Sequence, residues 1–125
     1  MEDAFVEGIN LFNSQKFFEA HEALEAVWLK ASGKHRTFLQ GLIQVAAAFH
    51  HHTRHNPAGF RSLLEKGCAR LEKFGMQFEC VDLAGLMIQL QPWRDHLRQP
   101  SRRAPPPPPW PPLPQIWLIP DPRRD

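Results

Sequence analysis

The 125-residue sequence lacks several features, and each absence removes a class of protein. No apolar run approaches the ~18 residues that a membrane-spanning helix needs. The first residues lack the basic region and apolar block of a secretory signal, so we expect a cytoplasmic protein. The chain has 2 cysteines and no Cys-x-x-Cys spacing, which excludes a disulfide framework and leaves Cys68 as a buried, reduced side chain.

Motifs for nucleotide, ester and nucleic-acid chemistry are also missing. The sequence holds no glycine-rich phosphate loop, no nucleophile elbow and no aromatic RNA-reading strand. Residues 1–98 contain 11 Lys+Arg and 11 Asp+Glu, so they lack the basic face that nucleic-acid binding requires. The arginine pairs at 102–103 and 123–124 do not change the expectation that nucleic acid is not a partner.

Apolar residues recur at helical spacing, and alternating β-branched runs are almost absent. This pattern predicts a single compact all-α bundle within residues 1–98. Pro92 is expected to kink or interrupt the last helix. The predicted bundle has about five helices, near residues 3–13, 17–31, 34–55, 57–74 and 82–97.

Residues 99–125 form a proline-rich tail with a different composition. The five consecutive prolines at 105–109 exclude helix and sheet, so polyproline II or disorder is expected there. Residues 116–119 are apolar, which leaves two accounts for the tail. It is disordered, or this stretch docks onto the helices or onto another chain.

Residues 17–28 carry the candidate site. At about 100° per residue, their apolar side chains cover one wide arc of a helix. His21 falls inside this arc, and Glu25 falls between His21 and Phe18. The sequence therefore predicts an imidazole and a carboxylate that point toward the core. The residues of the arc are Phe17, Phe18, Ala20, Leu24, Val27, Trp28 and Leu29.

The spacing of His21 and Glu25 favours a metal site, because side chains four apart on a helix are neighbours. One imidazole and one carboxylate could bind a single zinc or iron ion. His50 is the candidate third ligand, since it alone of the histidines at 50–52 faces the predicted core. The zinc-protease pattern His-Glu-x-x-His is incomplete, because Glu25 replaces its second histidine.

Two other interpretations use the same residues without a metal. His21 and Glu25 could bond to each other, or Glu25 could pair with Arg36 or His50, because a buried carboxylate needs a partner of some kind. The pair could also act as a catalytic acid and base. Spacing alone leaves these interpretations open.

The order of these motifs resembles the bacterial and archaeal family called domain of unknown function 309. The resemblance rests on residues 12–13, 17–28, Arg36 and 38–50, and extends over about residues 5–98. It implies a small all-helical protein whose signature is His21, Glu25 and Trp28. It also implies a metal-binding motif, with no established activity.

Two function hypotheses follow. In the first, the chain binds a divalent metal through His21, Glu25 and His50, and an open metal position would activate water, as in a metal-dependent hydrolase. In the second, these residues form a buried polar network in a non-catalytic interaction module that binds a small molecule, a protein or a second copy. Residues expected around the site, as outer-shell or substrate contacts, are Glu22, Trp28, Arg36, Gln40 and Gln44.

Overall fold

Five helices follow one another in the part of the chain that the computed structural model describes, residues 3–98 and 110–119. A short 3-10 helix, Glu72–Phe74, and an antiparallel strand pair connect the fourth helix to the fifth. No helix in these residues has the length and apolar character to cross a membrane. The predicted all-α class and helix number are confirmed. The elements are α1 (Asp3–Asn13), α2 (Phe17–Lys30), α3 (Gly33–Thr53), α4 (Pro57–Leu71), β1 (Gln77–Phe78), β2 (Val81–Asp82) and α5 (Leu83–Leu97).

Two helices begin at side-chain caps. The Asn56 side chain accepts a hydrogen bond from the Gly59 amide at 3.2 Å, and proline occupies the first position of α4. The Asp82 carboxylate accepts one from the Gly85 amide at 2.9 Å and starts α5. α5 continues through Pro92 without the interruption that proline could cause, because Leu90, Trp93 and Leu97 remain buried in the core.

The core is arranged around α3, which lies between α2 and α4. Aromatic rings link the elements across it. The ring centroids of Phe12 and Phe17 are 5.2 Å apart, those of Phe17 and Phe49 are 5.5 Å apart, and those of Phe49 and Phe60 are 5.1 Å apart. Each of these pairs contributes stabilisation beyond the apolar area that it buries. A continuous aromatic path therefore joins α1, α2, α3 and α4.

Two glycines allow neighbouring helices to approach closely. A Cβ on Gly8 would lie 2.8 Å from Leu24 Cδ2, so α1 packs against α2 through a bare backbone. A Cβ on Gly67 would lie 2.8 Å from Val45 Cγ2 and 3.0 Å from the Gly41 carbonyl oxygen. The carbonyl belongs to rigid backbone, so the α3–α4 contact depends on the missing side chain.

Cys68 is fully buried in α4, as expected. Burial raises the pKa of its thiol to about 11. The protonated thiol therefore behaves as a small apolar side chain in the core.

Residues 110–119 dock onto the helical bundle. Ile116 is 1% exposed and belongs to the core. The Asn13 amide nitrogen donates to the Ile116 carbonyl at 2.9 Å, and the Ile116 amide donates to Asn13 Oδ1 at 2.7 Å. Asn13, the last residue of α1, therefore holds the tail. The cap of α2 is Lys16, whose side chain makes no capping bond.

Further contacts bind the same segment to α5 and β2. The Trp93 indole nitrogen donates to the Pro112 carbonyl at 3.0 Å. Leu118 forms an isolated antiparallel bridge with Val81. Of the two expectations for the tail, docking onto the helices is therefore the one that residues 110–119 meet. The proline run at 105–109 lies outside the described residues.

Candidate functional site

His21 and Glu25 contact each other on α2. The distance from His21 Nε2 to Glu25 Oε2 is 3.3 Å. Their side chains are 29% and 50% exposed, so the pair lies at the surface. The prediction that both side chains point into the core is therefore wrong.

The reason is the true width of the buried arc of α2. Phe17, Ala20, Leu24 and Val27 are its buried residues, and they occupy a narrower sector than the sequence suggested. Two apolar residues that widened the predicted arc are exposed instead. Those residues are Phe18, at 46%, and Leu29, at 66%.

We call the outward face of this helix the α2 stripe. At 100° per residue its members fall within an arc of about 100°. Its apolar ends, Phe18 and Leu29, lie about 16 Å apart along the helix axis, since each residue rises about 1.5 Å. The stripe consists of Phe18, His21, Glu22, Glu25 and Leu29.

His50 lies near one end of the α2 stripe. The Phe18 ring is 5.2 Å from the His50 ring and 6.2 Å from the His21 ring, measured between centroids. Burial, followed by the charges of His51, Arg54 and His21, lowers the pKa of His50. The structure thus brings His50 to the same side of the molecule as His21, and Phe18 contacts both.

Arg36 and Trp28 lie together beside the stripe. The Arg36 guanidinium is 3.9 Å from the centroid of the Trp28 ring, which is a cation–π contact between α3 and α2. Arg36 is exposed and Trp28 is half-buried. This contact places an arginine and an aromatic face at the border of the candidate surface.

Among the other predicted neighbours, Gln44 faces away from His21. It is 9% exposed, and its Oε1 accepts a hydrogen bond from Arg70 Nε at 3.0 Å. Gln44 therefore joins α3 to α4. Glu22 is exposed on the stripe, and Gln40 is half-buried on α3.

The side chains present do not fit a three-ligand metal centre. Within residues 3–98 and 110–119, no group of three or more His, Cys, Asp or Glu side chains is placed to hold an ion. His21 and Glu25 supply one nitrogen and one oxygen, whereas catalytic zinc sites use three protein ligands. The assignment of His50 as a third ligand stays a prediction.

The signal that sequence reasoning missed is the exposure of Phe18 and Leu29. Both are apolar, so periodicity alone assigned them to the core. Their position at the margin of the buried arc, next to Glu22 and Glu25, was the available clue.

Comparison with known proteins extends the description to a family. Uncharacterized protein YpuF of Bacillus subtilis (strain 168) is 36% identical over 63 residues, which are 49% of this chain and 36% of that protein. This chain therefore spans only a minor part of that relative's length. The family model described as domain of unknown function (DUF309) matches residues 5–63 and ends short of the predicted residue 98. Over these residues, which run from α1 into α4 and include His21, Glu25 and Trp28, the chain is a match to the DUF309 family.

Proposed function

We propose that this chain is a non-catalytic helical interaction module, and that its α2 stripe binds a basic, amphipathic helical segment of another protein. The observation that supports the proposal is the exposure of Phe18 and Leu29 on one face of one helix, at 46% and 66%. Single exposed apolar residues are common on protein surfaces. Phe18 and Leu29 are both large and lie on the same face of one helix, so together they provide an apolar contact surface on the α2 stripe.

The neighbours of these residues have the character of an interface. Trp28 and the Arg36 guanidinium above it border the α2 stripe. Aromatic residues and arginine are enriched in the centres of protein–protein interfaces. Two apolar anchors separated by about three turns match the spacing by which an amphipathic helix is recognised along a partner helix.

The charge between the anchors indicates the partner. Glu22 and Glu25 lie between Phe18 and Leu29, so the complementary helix carries Lys or Arg between two apolar residues. A second copy is less favourable as the occupant. An antiparallel pair of α2 helices that matched Phe18 with Leu29 would place Glu22 opposite Glu25, and like charges repel.

Fluorescence anisotropy with labelled synthetic peptides tests this proposal. The probe is a helical peptide of about 15 residues with two leucines at the spacing of Phe18 and Leu29 and lysines between them. Its matched control has glutamates in place of the lysines. We expect the lysine peptide to bind, and Leu29→Ser to weaken its binding about tenfold, equivalent to about 1.4 kcal/mol.

Ile88→Ser is the control variant, because Ile88 is 73% exposed on α5 and lies away from the stripe. It should leave peptide binding unchanged. Equal binding of both peptides, or no effect of Leu29→Ser, would contradict the proposal. Self-association in sedimentation experiments that Leu29→Ser abolishes would identify a second copy as the occupant.

Metal binding at His21 is the competing proposal, and one observation favours it. The Nε2 and Oε2 atoms of His21 and Glu25 converge at 3.3 Å, so a single ion could meet both. Mass spectrometry of the untagged protein tests this proposal, with His21→Ala and Glu25→Gln alongside. Stoichiometric zinc or iron that both variants lose would support a metal centre and make hydrolase assays the next step.

A further inference from the structure

A second candidate site lies on the other side of α3, where its C-terminal end meets α4, α5 and the docked tail. The pocket there contains about 440 Å³ of space free of protein atoms, including its open mouth. The enclosed part is only about 40 Å³, compared with the ~150 Å³ of a cavity that holds benzene. The pocket therefore accommodates a single ring at most, and only with part of that ring in the open mouth beside Trp110, which is 42% exposed. We call it the aromatic pocket, and its main walls are His52, Phe60, Trp93, His96, Leu97 and Trp110.

Three elements and the tail supply aromatic rings, most of which stand nearly perpendicular to their neighbours. The exception is the pair His52 and Phe60, whose rings are 5.1 Å apart and tilted by 44°. The His52 ring lies 4.9 Å from Trp93 at 74° and 4.6 Å from Trp110 at 77°. The rings of Phe60 and Trp93 are 5.7 Å apart at 90°. Perpendicular rings present both faces and edges, which is the arrangement that another aromatic ring prefers to contact.

The pocket favours a ligand without formal charge. Its lining, as far as the described residues show it, includes no Asp, Glu, Lys or Arg. A charged ligand would therefore lose water without gaining an ion pair. Burial, and then the charge of His55, lowers the pKa of His52, so this wall is an uncharged imidazole at neutral pH.

One polar atom at the pocket lacks a partner. Nδ1 of His96 is shielded from solvent and has no hydrogen-bond partner among the described residues. A shielded imidazole nitrogen without a partner costs free energy. A rotation of the His96 ring that turns this nitrogen toward the pocket would let a ligand recover that cost with a hydrogen bond. Because a neutral imidazole nitrogen donates or accepts according to its tautomer, a hydroxyl or a ring N–H could pair with it.

We infer that the aromatic pocket binds a small, uncharged molecule with a single aromatic ring and one hydrogen-bonding group, such as a phenol. The site is separate from the α2 stripe in residues and in chemistry. It adds a small-molecule site to the proposed protein interaction, and neither proposal depends on the other.

Nuclear magnetic resonance titration of the full chain tests the inference. Phenol is the probe, and cyclohexanol is its matched control, since it has a similar size and hydroxyl group but no aromatic ring. Phenol should bind with a Kd on the order of 1 mM, as expected for so few atoms, and should shift the Trp93 indole N–H signal saturably. Cyclohexanol should bind at least about tenfold more weakly.

Two variants locate the binding. His96→Leu removes the unpartnered nitrogen and should weaken phenol binding about five- to thirtyfold. Cyclohexanol carries the same hydroxyl group, so its binding should weaken by a similar factor. Trp110→Ala removes an exposed wall of the pocket and should weaken phenol without unfolding the bundle, because Trp110 is 42% exposed. Thermal unfolding confirms that each variant is folded.

Leu29→Ser is the control at the other site and should leave phenol binding unchanged. Equal affinity for phenol and cyclohexanol would overturn the inference. So would unchanged phenol binding in folded His96→Leu and Trp110→Ala proteins, or shifts confined to residues away from Trp93.

Discussion

The α2 stripe and the aromatic pocket lie on opposite sides of α3, and two histidines of that helix show how they differ. His50 contacts Phe18 at the stripe, whereas His52 contacts Trp93 at the pocket. The stripe belongs to one helix, and its contact between His21 and Glu25 is partly exposed. The pocket is built from three helices and the tail, and Trp93 is 2% exposed.

The difference shows what encloses a site in a small bundle. Neighbours on one helix lie side by side at the surface, however well their spacing suits a ligand. Enclosure requires segments that are distant in sequence. Here the docked tail supplies Trp110 to the wall of the pocket, and the Pro112 carbonyl of the tail accepts a hydrogen bond from the Trp93 indole nitrogen. Disturbing the tail should therefore affect the pocket and spare the stripe.

Ile116→Ala should have the largest effect. Ile116 is 1% exposed, and truncating a buried isoleucine costs about 2–5 kcal/mol in the free energy of unfolding. Urea denaturation measures this loss. Phenol binding should weaken in the folded variant, while binding of the basic peptide to the α2 stripe stays the same.

Gln115→Ala is its control, because Gln115 is exposed and its tail contacts use backbone atoms. It should change stability by less than about 0.5 kcal/mol. A comparable loss in both variants would mean that residues 110–119 are not docked as described.

Asn13→Ala should have the next largest effect. The substitution leaves both the amide and the carbonyl of Ile116 without their side-chain partner, at a cost of about 1–3 kcal/mol. Asn13→Asp keeps an acceptor for the Ile116 amide and loses the donor, so an intermediate loss is expected. Urea denaturation of the three proteins should rank them in that order, and equal stability would contradict the role of Asn13.

The pH dependence of stability should report on the buried environment of His52. Burial, and then the charge of His55, lowers the pKa of His52 in the folded chain. Between that lowered pKa and about 6.5, the unfolded chain binds more protons, so the free energy of unfolding rises with pH. The contribution is complete above about pH 6.5 and is lost as the pH falls through the lowered value.

Urea denaturation from about pH 5 to pH 8 measures this slope. His52→Phe keeps the ring contacts and should reduce the slope. A remaining slope of the same sign is expected from His50, because its pKa is also lowered. An unchanged slope in His52→Phe would show that its environment in the pocket is not apolar.

The smallest effect should come from the His21–Glu25 pair. A double-mutant cycle with His21→Ala and Glu25→Gln should give a coupling of about 0.3–0.5 kcal/mol, as for exposed pairs four residues apart. The cycle also tests whether the α2 stripe is as exposed to solvent as the comparison with the aromatic pocket requires. A coupling above about 2 kcal/mol would indicate a desolvated pair and would remove the contrast between stripe and pocket.

Local chemistry predicted much of the fold. The capping side chains of Asn56 and Asp82 accept hydrogen bonds from amides three residues ahead. Such caps follow from local sequence, because a cap involves only the next few residues. The contact between His21 and Glu25 was likewise predictable from helix geometry. Asn13 shows the limit of this reasoning, since its partner Ile116 is 103 residues away.

By itself, the sequence determined the five helices, the caps of α4 and α5 and the pairing of His21 with Glu25, because each depends on residues within one or two turns. Only the tertiary structure decided how wide the buried side of α2 is, where the tail lies and that His52 joins an aromatic pocket. The physical reason is that periodicity gives the direction of a side chain around its helix. What lies in that direction, solvent or another segment, depends on packing between distant parts of the chain.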